Sequence, residues 1–417
     1  MKSLLITWLF LSFSTQALEL PNPLTLKRTL ELATTQNLEQ QQLSINIALD
    51  KIELESYQDG YKTTVDLDLQ LARRDNEKLG HTDYSHAFIK INKVLYDQNV
   101  EINQNAAKSN VKNTEFALQQ FKIDKTTQVM QAFFNVILAD MRHETVLERL
   151  AISAIRANRI QDNFDVQDAS EVELLEKQTL TQFDVVKRIE AEAAQITTRA
   201  KLAQLLNMTY ENRPDDLVKP DLTHFFKKEL DEFEIWQKKI QLSNLELGEL
   251  KRMLANLKQQ RNLEKNNKEI VISSNIRLGG QSYDSSKNGN WRAGFSFVMP
   301  FGQSQRQKKK TSELLVKIKQ QQLRIEQRAQ ELNQQALSLW LKLKTLKQRH
   351  QALTTELDYR DLYLELARAN YEMEIKSDIG SAMSNLTDTE WKLTKNEFDF
   401  VIVFTQLQQL AGEDYAL

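Results

Sequence analysis

The chain has 417 residues, 27% charged and 41% hydrophobic, with a formal net charge of -2 and no cysteine. Near-neutrality excludes the basic surface that nucleic-acid binding requires, and the lack of cysteine excludes a disulfide framework and a lipoprotein attachment residue. Only 10 glycines and 5 prolines occur, so the sequence favours long uninterrupted helices over a single large core.

In chain order, Lys2, the apolar run Leu4 to Phe13, and the small residues Thr15 and Ala17 read as a secretory signal over residues 1–17, cut after Ala17. A retained anchor is the alternative, but the run is shorter than the ~20 residues that span a bilayer. A helix follows from Leu24. Residues 63–97 then read as a strand hairpin. Val65, Leu67, Leu69 and Leu71 alternate with Asp66, Asp68, Gln70 and Ala72, and the return run puts Ala87, Ile89 and Ile91 on one face.

From 100 to 207 a long helical hairpin is expected. Its first arm, Val100 to Asp165, would be a rod of roughly 100 Å. Ser170 and Glu173 spell a capping box that starts the second arm. Along that arm Ile189, Ala193, Ile196, Ala200 and Ala203 step by four and three, the spacing of a coiled-coil seam. The proline-bounded segment 214–221 is the clearest linker, and it separates a first repeat, 18–213, from a second, 222–417.

The second repeat follows the same plan: helix, strand hairpin at 270–302, long helical hairpin at 305–412. Ile270, Ile272, Ile276 and Leu278 share a parity, and Trp291, Ala293, Phe295, Phe297 and Met299 alternate on the return. The basic residues Arg306, Lys308, Lys309 and Lys310 follow directly; they read either as a lipid-phosphate contact or as a solvated helix start. Heptads recur at Leu332, Ala336, Leu339, Leu343, Leu346, His350 and Leu353, and again at Leu393, Asn396, Phe400, Val403, Leu407 and Leu410. Ser377 and Asp378 offer a weaker helix start at the second turn. Placing Leu95, Tyr96 and Asp97 over Pro300, Phe301 and Gly302 also brings Phe134, Leu138 and Met141 onto Leu339, Leu343 and Leu346. The same offset sets Leu205, Leu206 and Asn207 on Leu410, Ala411 and Gly412. This is a duplicated unit with a period far longer than a solenoid repeat.

The pattern resembles the TolC-type outer-membrane efflux proteins over nearly the whole mature chain. Leu24, Thr25, Leu26 and Lys27 with Leu30, Glu31, Leu32 and Ala33 are similar to the family's opening helix. Val298 to Gly302 and Val94 to Asp97 resemble its strand ends. Ala169 to Leu175 resembles the motif after its periplasmic helical turn, and Ala203 to Leu206 the close of its first repeat. The resemblance implies a homotrimer in the outer membrane of a Gram-negative bacterium, mainly α with a membrane β-barrel portion. Each chain would give four strands to a 12-stranded barrel and four rods to a helical tunnel extending into the periplasm. It implies a passive exit duct of a tripartite efflux pump or type I secretion system, partnered by a periplasmic adaptor (a membrane fusion protein), an inner-membrane transporter and outer-membrane lipid. A soluble periplasmic coiled-coil or adaptor protein is the alternative.

Four strands are too few to close a barrel alone, and a closed barrel is how strands live in lipid with every backbone group paired. The polar parity of the hairpins makes Asp66, Asp68, Asn92, Arg292 and Ser296 candidates for the lumen wall. Asp162, Asp165, Asp168, Glu171, Glu374 and Asp378 crowd the two helical turns and are candidates for the tunnel entrance and its gating. In a trimer they would form carboxylate rings, which select for cations; the plainer reading is that they solubilise exposed turns. Gln167, Ser170, Glu374 and Ser377 are candidates for adaptor docking. The chain departs from the family by carrying Gln98, Gln167 and Glu374 where glycine is usual, which bears on the identity of the adaptor.

No catalytic constellation stands out, and neither a metal nor a cofactor is expected. His81, His86, His143, His224 and His350 are scattered, and no phosphate loop or HExxH run occurs. The paired Asp66 and Asp68 are better explained as water-facing strand residues than as an acid and base pair.

Overall fold

The computed structural model describes residues 23–35, 37–58, 61, 63–76, 80–227, 229–283, 286–300, 304–373 and 378–413. The expected signal segment, together with Phe301, Gly302, Glu374 and Ser377, lies outside the described residues.

The elements are α1 (Leu26–Thr35), α2 (Leu38–Gln58), β1 (Thr63–Gln70), β2 (Arg73–Asn76), β3 (Gly80–Asp97), α3 (Gln98–Asp165), α4 (Glu171–Leu205), α5 (Thr223–Lys227), α6 (Phe233–Ser243), α7 (Leu245–Asn266), β4 (Val271–Tyr283), β5 (Ser286–Val298), α8 (Ser304–Glu372) and α9 (Ile379–Leu410). Two of the helices are exceptionally long, α3 with 68 residues and α8 with 69. Two compact units result. One combines Met1–Gln36, Gln128–Phe226 and Arg349–Phe398; the other combines Asn37–Thr127, Lys227–Gln348 and Asp399–Leu417. Each unit therefore draws on both sequence halves, so the duplicated segments interleave.

The first unit is all helical. Its core stacks Phe134 on Phe398 at 4.1 Å between ring centres, both rings nearly parallel and fully buried. Trp391 ties α9 to α3 by donating its indole N–H to the Leu138 carbonyl at 3.0 Å. The segment read as a linker is pinned: the Leu24 amide donates to Asp216 O at 2.9 Å, and the Val218 amide to Leu24 O at 3.0 Å, a parallel bridge. Arg199 grips Asp140 through both guanidinium nitrogens, at 2.7 and 2.9 Å, and also donates to Asp215 O at 3.1 Å. His350, read as a seam residue, stacks on Phe226 at 3.8 Å, and burial pushes its pKa down.

The second unit holds the sheet. Its strand order is β1-β3-β4-β5, antiparallel throughout, with β2 extending the pairing along β3. A bulge between Val94 and Tyr96 shifts the β3–β4 register near the helix. Gly279 sits where a Cβ would strike the Ala87 carbonyl and come within 2.8 Å of the Phe88 ring, so this close strand approach requires glycine. Strand β3 runs into α3 with no loop. Asp97 Oδ1 accepts the Asn99 amide at 2.8 Å, and Gln98 accepts the Lys268 amide at 2.8 Å while reaching the Asn266 carbonyl. A glycine at position 98 would forfeit the two Gln98 side-chain bonds. Trp236 packs edge-on against Phe404, and Leu332, Ala336, Leu343 and Leu346 are buried as their heptads predict. The basic run is partly spoken for, with Lys310 3.6 Å from Glu264 and Lys309 4.0 Å from Glu313, and the intervening Gln307 donates to three carbonyls at the end of α7.

One expected seam is fully buried among the described residues only at its end, where Ala203 is covered. Ile189 and Ile196 stay 53% and 52% exposed, while the buried side chains of α4 are Leu174, Asp184, Ala191, Leu202, Ala203 and Leu205. Periodicity located an apolar stripe but not what it packs against.

The duplication is physical at the helix ends. After α4, the Asn207 amide donates to Gln204 O and the Met208 amide to Ala203 O; after α9, Gly412 donates to Gln409 O and Glu413 to Gln408 O. Both are Schellman caps with a left-handed residue, Asn207 at φ 56° and Gly412 at φ 71°. Gly412 also lies so close to the Ser243 carbonyl that a Cβ would collide with it. Gly412→Ala should therefore lower stability by roughly 1–2 kcal/mol or more, whereas Asn207→Gly should change it by less than about 1 kcal/mol. Thermal unfolding of the two variants side by side checks the contrast.

Candidate functional site

Two surfaces carry the residues singled out from sequence, one in each unit. In the first unit, α3 ends in a third Schellman cap. The Gln167 amide donates to Phe164 O at 2.9 Å and the Asp168 amide to Asn163 O at 2.8 Å, with Gln167 left-handed at φ 66°. This is the position where a glycine would be unstrained, and here a glutamine holds it. Ser170 then caps α4, its Oγ accepting the Glu173 amide at 3.2 Å. Asp162, Asp165, Gln167, Asp168, Ser170 and Glu171 all stand exposed around this turn. Asp165 accepts a bond from Gln161 one helical turn earlier, at 2.9 Å.

Asp378 differs from the other acids. It caps α9 by accepting the Ser381 amide at 3.1 Å, and Arg156 of α3 reaches its other oxygen at 2.5 Å. Arg156 also bonds the Ser381 hydroxyl at 2.5 Å, so one guanidinium binds the start of α9 to the end of α3. Burial pushes the Asp378 pKa up, but the Ser381 amide, Arg156 and the Ser381 hydroxyl outweigh it and hold the carboxyl below its usual range. Thus Asp378, grouped by sequence with the free acids, is a structural clasp. Along the same helices Asp388 sits between Lys392 at 2.8 Å and Arg142 at 2.9 Å. A groove of about 260 Å³ beside the clasp is lined by Thr145, Arg149, Arg156, Lys187, Ser384 and Asn385 among others.

In the second unit the strand register settles which side chains share a face, because residues directly opposite one another point the same way. Thr64, Asn92, Asn275 and Gly294 form one cross-strand row; Asp66, Lys90, Arg277 and Arg292 form the next; Asp68, Phe88, Gly279 and Asn290 a third. Ser296 lies opposite Ser273 on the same face. The register thus brings all five expected lumen residues onto one polar surface. There Asp68 takes Lys90 at 2.6 Å and His86 at 3.2 Å. The opposite face is apolar and open: Leu67 pairs with Ile89, Ile89 with Leu278 and Leu278 with Trp291, and Phe295 and Trp291 are 82% and 74% exposed. Among the residues of the polar face that the sequence reading did not single out as lumen candidates are Lys90, Phe88, Arg277 and Gly279. Arg277 was legible as the lone cation at opposite parity to Ile276 and Leu278.

No helix of the described residues is long and apolar enough to cross a membrane, and no group of three or more potential metal ligands occurs among them. Such a helix count says nothing of a β-barrel.

No family profile and no curated protein sequence matches the chain. Solved structures do. The chain is similar to the Campylobacter jejuni CmeC outer membrane channel, with a TM-score of 0.75 at 13% identity over 93% of this chain and 85% of that one. It is similar to the outer membrane protein VceC of Vibrio cholerae, with a TM-score of 0.71 at 10% identity over 94% and 97%. It is also similar to the Neisseria gonorrhoeae MtrE outer membrane channel in its open state, with a TM-score of 0.71 at 14% identity over 93% and 89%. At these identities the likeness is one of fold: the long helices and paired strands of this chain are arranged as in those structures.

The clasp has a pH signature. A carboxyl whose folded pKa is depressed stabilises above its unfolded value and loses that contribution as pH falls through the folded one. Amides at the start of α9 should therefore lose hydrogen-exchange protection as pH drops below about 4. Asp378→Asn keeps a good helix cap and should abolish that acid dependence, with protection near neutrality reduced but flat.

Proposed function

We propose that the chain is a TolC-type outer-membrane efflux protein and works as a passive exit duct. Three copies would close one barrel in the outer membrane of a Gram-negative cell and one helical tunnel reaching into the periplasm. The observation that carries this reading is the sheet. It has one apolar and one polar face, its outer strands β1 and β5 have no partner on their far sides among the described residues, and it is joined directly to a 68-residue helix. An exposed face bearing Leu67, Phe295 and Trp291 suits lipid, and unpaired edges suit neighbouring copies. Polar Asp66, Asp68, Asn92, Arg292 and Ser296 would then line water. The exposed stripe of α4, Ile189 and Ile196 included, would pack against a second copy.

Solute or polypeptide would be driven through by an inner-membrane transporter joined to the duct by a periplasmic adaptor, as in a tripartite efflux pump or type I secretion system. The duct itself would catalyse nothing. Adaptor docking belongs at the α3–α4 turn, at Gln167 and Ser170, and at Glu374 and Ser377 on the other turn. Because Arg156 engages Asp378, the entrance carboxylates of this reading are Asp162, Asp165, Asp168 and Glu171, with Glu374.

Cell fractionation tests the reading. A heat-modifiable trimer in the outer membrane is expected, and a soluble periplasmic monomer refutes it. For the entrance, Asp165→Asn with Asp168→Asn should reduce cation preference in single-channel recordings, and an unchanged reversal potential in a salt gradient removes those acids from the pore.

A further inference from the structure

The polar face of the sheet carries a concentration of positive charge that the exit-duct reading does not call for. Lys90, Arg277 and Arg292 occupy one row on three consecutive strands, each directly opposite the next, with Asp66 ending the row on β1. Like charges directly opposite one another on neighbouring strands repel and destabilise a sheet. Lys90 is relieved by Asp68 at 2.6 Å, and Asp68 also holds His86 at 3.2 Å. Arg277 and Arg292 pair with no carboxylate among the described residues. Arg277 is instead laid flat over the Phe88 ring, its guanidinium carbon 3.4 Å from the ring centre, and its buried Nε has no hydrogen-bond partner. Phe88 is itself 1% exposed, held where Gly279 leaves room for it. An aromatic platform that fixes a guanidinium without neutralising it leaves its donor edge free.

We propose that Arg277 and Arg292, with Lys90 beside them, form an oxyanion-binding belt on the lumen wall of the barrel. The belt would favour cargo bearing phosphate or carboxylate groups. Rings of arginine and lysine select for anions in pores, and the planar fork of arginine matches oxyanions two bonds at a time. Threefold repetition would carry the row around the barrel, with each Asp66 marking the boundary between copies. This rests on the exit-duct reading, since only a closed barrel turns the face inward.

The test uses full-length protein in planar bilayers, with inorganic pyrophosphate added on the side opposite to the protein, where the barrel mouth opens. Wild-type current should be blocked by pyrophosphate. In Arg277→Gln/Arg292→Gln the half-blocking concentration should rise by at least about tenfold, the effect of losing charge-assisted bonds. Arg292→Gln alone, at an exposed position, and Arg277→Lys, which keeps the charge but not the fork, should fall between, and these decide the matter if the double variant does not assemble. Absence of block in wild type, or the same block in every variant, overturns the belt while leaving the duct intact. Failure of wild type to form any channel overturns the duct reading, and the belt with it.

Discussion

The structure depends on where the backbone of four strands finds its hydrogen-bond partners. Strands β3 and β4 are satisfied on both sides; β1 and β5 are satisfied on one. An unpaired edge costs little in water but several kcal/mol per orphan group in hydrocarbon, and the face opposite the polar rows exposes Trp291 and Phe295. Other features answer this constraint. Register places Asp66, Asp68, Lys90, Arg277 and Arg292 on one face, Gly279 lets β3 and β4 approach, and the bulge at Val94 and Tyr96 adjusts the pairing before the chain turns helical. Under the proposed exit-duct reading, neighbouring copies would pair those edges, because the described residues of one chain offer β1 and β5 no further partner.

The helices meet a different difficulty, since long rods must pack side by side in a fixed register. Their cores are mixed: Thr389, Thr394, Thr405 and Gln408 are buried beside Phe400, Val403 and Leu407. The cost of burying such polar groups is contained locally. Thr389 donates to the Asn385 carbonyl at 2.8 Å, and Thr126 and Thr145 on α3 do the same to the carbonyls four residues before them. Specific ties then set the alignment, such as Arg328 gripping Glu246 at 2.8 Å through two nitrogens, or Thr127 meeting Gln409. A uniform leucine seam would slide by heptads; these ties break that degeneracy.

Period-two and period-seven patterns were enough to read the strand and helix content, because both are set by local geometry and burial on one side. Alternation in β1, β3 and β5 named the lumen candidates, and the register put Asp66, Asp68, Asn92, Arg292 and Ser296 on one face. What sequence could not supply was partnership. Ile189 and Ile196 obey the heptad rule as well as Leu332 and Ala336 do, yet only the latter pair is covered within the chain. Asp378 and Asp168 look equivalent in a string of letters, but one is clasped by an arginine more than two hundred residues away and the other stands exposed, with no side-chain partner among the described residues. Likewise Lys90 and Arg277 became neighbours only when the pairing of β3 with β4 was known. The gathering of segments from both sequence halves into each compact unit was equally invisible, as was the bridge that pins the proline-bounded segment 214–221 to Leu24.

The passage from β3 to α3 has a mechanical meaning. Asp97 closes the strand and Gln98 opens the helix; the Asp97 carboxylate accepts the Asn99 amide, and the Gln98 side chain braces the corner against Asn266 and Lys268. A loop at that place would act as a hinge, letting the helix swing while the sheet stayed still. Without one, the corner behaves as a welded joint that transmits torque. Any twist imposed on the helix there is felt by the strand, so compliance must be found farther along the rods.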